Sequence, residues 1–163
     1  MKIRTFTTLF ATTALLTLSS LAQAQSAPPQ YGANVSHEMA RKAIAGAVAN
    51  AKSQNLPMAI AIVDTAGLLI AFERMDNTQY GSVAVSQDKA ASAALYRRPT
   101  KVFQDVLAAG GAGLRVLTLR GANAVEGGVP IVVDGKIVGA IGVSGGSAEQ
   151  DGVVAKAGLD AMK

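Results

Sequence analysis

The chain has 163 residues, with 15 basic and 11 acidic side chains, one histidine and no cysteine. That length makes one domain with enough chain to bury a core. The missing cysteine excludes a thiol nucleophile, a thiolate metal site and covalent c-type haem attachment, while a single histidine excludes a multi-histidine metal centre and leaves a Ser-His-Asp mechanism little support.

Lys2 and Arg4 precede a mostly apolar stretch at 6–21, and Ala22-Gln23-Ala24 is a small-x-small cleavage pattern. This reads as a secretory signal, too short and threonine-rich to span a bilayer well. Residues 1–24 are therefore expected to be cleaved after Ala24, sending the protein to the periplasm or beyond, with no stable membrane span in the mature form. The mature chain then keeps 13 basic and 11 acidic side chains, a net charge of +2. Its basic residues are scattered apart from Arg97-Arg98, and there is no RNA-binding aromatic motif, so no nucleic-acid partner is expected. An exported chain without disulfides must hold together by packing or by oligomerisation. Its alanine- and glycine-rich segments make a homo-oligomer the expectation.

Residues 25–35 are polar and proline-bearing, a flexible lead-in to a single domain at 36–163. Ser36 is a plausible N-cap with Glu38 in the first turn, and Met39, Ala43, Ala47 and Ala51 share one helix face ending near Gln54. Asn55 suits a left-handed cap, and Pro57 stops the helix. Residues 58–63 form an apolar run with β-branched members, Asp64 to Gly67 a turn, and 68–72 the partner strand. An alanine-rich helix spans 82–96, Pro99 interrupts it, and a shorter helix follows at 101–109. After the glycines at 110–113, residues 115–119 read as a strand. Ile131 to Val133 is another strand, Asp134-Gly135 a tight hairpin turn, and 136–143 the return strand, whose Gly139 and Gly142 suggest that a backbone or ligand comes close. Ser147 and Gln150 form a capping box for a last helix at 148–162. Five strands, four of them in two hairpins, set apart from four helices, give an α+β class.

Val138 to Gly146 followed by Glu149-Gln150-Asp151, with Ala61-Ile62-Val63-Asp64, Gly67, Arg74-Met75-Asp76 and Lys89-Ala90 upstream, resembles the GlcG/HbpS family. The C-terminal domain of PduO-type proteins carries the same resemblance. It covers residues 36–163 and implies a profilin-like fold: a five-stranded antiparallel sheet with helices on both faces. It also implies haem as the cofactor, in an exported protein that binds or buffers haem or its iron and has weak haem-degrading activity. An alternative is a protein of hydroxy-acid or diol metabolism holding a small carboxylate.

Read toward haem, His37 is the candidate axial ligand, since imidazole is the common protein ligand to haem iron. The bland reading is a solvent-facing histidine at a helix start. Tyr31, Tyr80, Tyr96, Met39, Met58 and Met75 are the other ligand candidates, with Met39 and Met58 better read as core. Lys89, Arg97 and Arg98 are candidate counter-charges for the propionates, and the alanine-rich helix with the hairpin glycines is the candidate slot. For a small acidic ligand, Ser144, Gly145, Gly146 and Ser147 offer backbone N–H groups ahead of a helix start, with Arg74 nearby in the motif set. Asp64, Arg74, Asp76, Glu126 and Asp151 read more readily as a loop-fixing salt-bridge network than as catalytic groups.

Overall fold

The computed structural model describes residues 27–163; the expected signal and the first two residues of the lead-in lie outside that range. The described chain runs α1 (His37–Ser53), β1 (Ala59–Val63), β2 (Leu69–Arg74), α2 (Gly81–Tyr96), α3 (Thr100–Ala108), a 3-10 helix (Gly111–Thr118), β3 (Gly128–Val133), β4 (Lys136–Ser144) and α4 (Ala148–Asp160). Four strands make one antiparallel sheet in the order β2-β1-β4-β3.

Alternation along β1 divides the core. Ile60 and Ile62 face α1 and α4, joining Ala40, Ala43, Ala47, Ile141 and Val154, whereas Ala61 and Val63 face α2 and join Ala90, Ala93, Ala94 and Ala140. Helices therefore cover both faces, and one strand reads as a continuous apolar run because both its faces are buried. The caps follow the residue chemistry. The Ser36 hydroxyl accepts from the Met39 N–H, and Ser147 with Gln150 closes a capping box at α4. Asn55 has φ +56°, and Asp134 and Gly135 have φ +49° and +73°, as the helix end and the hairpin turn require.

Two expectations are corrected. The sheet has four strands, because residues 115–119 do not form a fifth. Gly110 and Gly111, at φ +67° and +52°, turn the chain into a 3-10 helix, in which only Val116 is buried while Leu114 and Leu117 face outward. The run closes local i to i+3 bonds, such as Leu119 N–H to Val116 O at 3.1 Å, instead of joining the sheet. The lead-in is not free along its second half. β1 pairs only with residues 140–144 of β4, which leaves the other end of β4 with an open edge. Residues 30–35 dock there: the Ile137 N–H donates to Gln30 O at 2.8 Å, and the N–H groups of Gly32 and Val35 donate to Ile137 O and Val138 O, each at 2.7 Å.

α2 lies unusually close to the hairpin because it meets glycine with small residues. A Cβ at Gly142 would strike the Ser86 carbonyl and the backbone of Ala90, and one at Gly128 would strike the Lys89 carbonyl. The expected haem slot between this helix and the hairpin is thus filled by backbone packed on backbone. Gly142→Ala is expected to lower stability by about 2–3 kcal/mol in urea unfolding, since α2 must retreat. Gly81→Ala, with nothing within 4 Å, should leave the midpoint in place or raise it.

Candidate functional site

The chemistry-bearing residues fall in three separate places. The first is interior. Lys89, 1% exposed and carried by α2, donates from Nζ to Asp151 Oδ2 at 2.7 Å and to Val143 O at 3.1 Å. Asp151 stands in the first turn of α4, and its other oxygen accepts from the Gly146 N–H at 3.0 Å. Burial pushes the Asp151 carboxyl above its ordinary range, against the pull of the Lys89 hydrogen bond and of the N–H groups of Gly146 and Gly145. Room for the ammonium exists because residue 127 is glycine at φ +126°; a Cβ there would come within 2.9 Å of Lys89 Nζ and 2.8 Å of Asp151 Cβ.

This pair occupies the corner read as an anion site. Gly146 N–H serves Asp151, the Ser147 N–H donates to Gln150 Oε1 at 2.9 Å, and Ser147 Oγ donates to Glu149 Oε2 at 2.9 Å. Ser144 is buried, with its hydroxyl 3.0 Å from that of Ser82, and Gly145 lies against Pro57 and Met58. The N-terminal pole of α4 is satisfied by the chain's own side chains: the Asp151 carboxylate, the Gln150 amide oxygen and the Ser147 hydroxyl.

The second place is the outer end of α2. Arg97 caps the helix in the left-handed region at φ +53°, and its guanidinium lies 5.6 Å from the centre of the Tyr31 ring. Tyr31 donates to Ala94 O at 2.9 Å. Arg98 lies over Phe103 at 5.7 Å, and Tyr96 donates to Arg120 O at 2.8 Å. Arg74, on the β2 side, makes no ion pair among the described residues and sits 5.3 Å from the Tyr80 ring, so the expected Arg74–carboxylate pair is not formed. Asp64 accepts from the N–H groups of Ala66 and Leu68 and holds its own turn.

The third place is an open slot of about 400 Å³ between α1 and the edge strand β2, lined by His37, Arg41, Ile44, Ala45, Ala71, Phe72 and Glu73. His37, Arg41, Ile44 and Ala45 recur at the spacing of one helix face. Ile44, Ala45 and Ala71 give an apolar floor. Phe72 contributes its edge of the strand, while its side chain packs with the alanine cluster on the opposite face. His37 and Arg41 are exposed, and among the described residues neither is hydrogen-bonded or ion-paired through its side chain. The neighbouring pair is settled differently: Glu38 holds Lys42 at 3.1 Å. A second cavity of about 400 Å³, between the β3 edge and the end of α4, is lined by apolar residues including Met39 and Met162 and also by Lys156, Asp160 and Lys163. Met58 is fully buried.

The structure thus does not bring His37 together with Lys89 or Arg97, which belong to α2 on the other face of the sheet. It brings His37 to Arg41 and Glu73, neither of which was singled out from the sequence. The signal was available: Arg41 follows His37 by four residues, one helical turn. The burial of Lys89 was also signalled, since Ser82, Ser86, Lys89 and Ala93 share a helix face.

Residues 35–160 match the family model described as "Haem degrading protein HbpS-like". Protein GlcG of Escherichia coli (strain K12) is 42% identical over 110 residues, covering 68% of this chain and 81% of the relative. The crystal structure of HbpS superposes with a TM-score of 0.72 at 28% identity, covering 80% of this chain and 92% of that one. A PduOC:heme complex superposes with a TM-score of 0.71 at 27% identity, covering 78% and 94%.

Deleting one member of the interior pair strands the other. Asp151→Asn and Lys89→Met are each expected to cost about 3–5 kcal/mol in urea unfolding at neutral pH. The double variant Lys89→Met/Asp151→Leu should recover part of that loss, which is the measurement that separates a stranded charge from lost packing.

Proposed function

This chain belongs to the HbpS-like family, and we propose that it binds haem in the slot between α1 and β2, with His37 as the axial ligand. The observation that carries the reading is the unpaired imidazole of His37 standing over an apolar floor, one helical turn from an unpaired guanidinium. That donor set fits haem: an imidazole nitrogen for iron, an aliphatic surface for the ring and a cation for an acid edge. Likeness to a protein crystallised with haem supports it. Bound haem supplies the metal and its redox chemistry; the chain's residues hold and orient the macrocycle and shelter one of its faces. Binding or buffering is the core of the proposal. Slow peroxide-driven loss of the bound Soret band would extend it to degradation. The small-carboxylate reading has no observation in its favour, since the N–H groups of Gly146 and Ser147 already serve Asp151 and Gln150.

Export and self-association belong to the same proposal. The charged start, apolar stretch and Ala22-Gln23-Ala24 site support export. Exposed Leu114, Leu117, Leu119 and Val125 support a homo-oligomer. Osmotic-shock fractions are expected to contain a chain beginning at Gln25 that elutes above its monomer mass. A full-length cytoplasmic monomer would refute both points.

Hemin added to residues 25–163 should give a saturable, stoichiometric Soret shift, and His37→Ala should move the band and weaken binding. A shift identical in the variant would transfer the ligand to a tyrosine or to the Met39–Met162 cavity. Absence of a saturable shift in the native protein would end the haem reading.

A further inference from the structure

We infer that Arg41 is the propionate-binding residue of this slot, and so selects a porphyrin that carries free carboxylates; the inference rests on the haem reading above. His37 and Arg41 are separated by four residues of α1, about 6 Å along the axis, and project onto one side of the helix. A ligand centred at the imidazole and lying on Ile44, Ala45 and Ala71 therefore extends toward the guanidinium. Arg41 is the one lysine or arginine among the residues that line the slot. Lys42, its neighbour, is held by Glu38 at 3.1 Å, and Lys89 by Asp151 at 2.7 Å. Arg97 and Arg98 lie over aromatic rings at the far end of α2. Among the described residues Arg41 has no ion pair, although Glu73 lines the same slot. A planar guanidinium can take a carboxylate through two parallel hydrogen bonds, a match that an ammonium does not provide. Glu73 across the slot adds direction: its negative charge disfavours a propionate on the β2 side and leaves the α1 side as the acid edge.

The test compares hemin with its dimethyl ester, which keeps the iron and ring and lacks both free carboxylates. Each is titrated into residues 25–163 of the native protein, Arg41→Ala, Arg41→Lys and Glu73→Gln, following the Soret band. Arg41→Ala is expected to weaken hemin binding about three- to tenfold, with the Soret maximum of the saturated complex unchanged. Arg41→Lys should recover part of the loss, Glu73→Gln should bind hemin at least as tightly as the native chain, and the ester should bind all four proteins alike. Arg41 is exposed, so thermal melts of the apo-variants should coincide with the native melt. Equal hemin affinity in native protein and Arg41→Ala would overturn this inference alone. So would an equal loss for hemin and ester, which would make Arg41 a packing residue. No saturable binding of hemin by the native chain would remove the haem reading and this assignment with it.

Discussion

One ammonium, that of Lys89, holds three elements in place. It is carried by α2, reaches a carbonyl of β4 and ends on a carboxylate in the first turn of α4. A lone cation in such a place would be prohibitive, so its burial requires Asp151, and Asp151 in turn requires the N–H of Gly146 to complete its bonding. The glycines follow from the same constraint. Gly127 leaves room for the ammonium, while Gly142 and Gly128 let α2 sink onto the hairpin far enough for the lysine to arrive. Further polar bonds tie down the surrounding loops: the Gly128 N–H donates to Thr100 Oγ1 at 2.9 Å, and the Asn123 N–H donates to Ser92 Oγ at 2.9 Å. No buried side-chain nitrogen or oxygen among the described residues is left without a partner.

That arrangement decides where a ligand can go. A helix N-terminus behind two glycines is a ready anion site, but here Asp151, Gln150 and Ser147 of the chain itself occupy it. The face of the sheet under α2 is closed by backbone contact, and β1 is buried on both sides. What stays open is the margin: the seam between α1 and edge strand β2, and the groove where α4 ends beside β3. Of the two, only the α1–β2 seam presents a nitrogen ligand and an unpaired cation together. A protein with so well satisfied an interior has its reactive groups at the rim, held by rigid elements but not consumed by them.

Elements fixed by local chemistry were legible in the sequence. Ser36, Asn55, Asp134-Gly135 and the Ser147–Gln150 box act within a few residues of themselves, and the structure has each in the conformation expected of it. Features set by distant partners were not. Lys89 and Asp151 are 62 residues apart, and nothing in the Gln87-Asp88-Lys89 run says that only the lysine turns inward, short of laying Ser82, Ser86 and Ala93 on the same face. Residues 115–119 have strand-like composition, yet they continue the 3-10 helix after the glycine turn and pair with neither edge strand. Tyr31 to Val35 have loop-like composition, yet the open end of β4 gives them a partner. The His37–Arg41 slot was half legible: the imidazole was picked out as a ligand type, while the residues the fold sets beside it are Arg41 and Glu73, not Lys89 or Arg97.

Many of the motif residues shared with the family build this interior, although Arg74, Asp76 and Glu149 of the same motifs are exposed. Gly142 admits α2, Ser144 bonds Ser82, Gly146 and Asp151 complete the lysine's site, and Asp64 closes the turn before β2. In this chain such residues are held by packing and internal hydrogen bonds, not by a ligand. His37 and Arg41 stand outside those motifs, on a surface that the fold leaves unconstrained; Glu73 only borders one of them. Sharing the fold therefore carries the scaffold over from a haem-bound relative without carrying the ligand. The haem assignment rests on two exposed side chains and an apolar floor, groups whose replacement leaves the interior intact, and that separation allows the function to be tested without unfolding the protein.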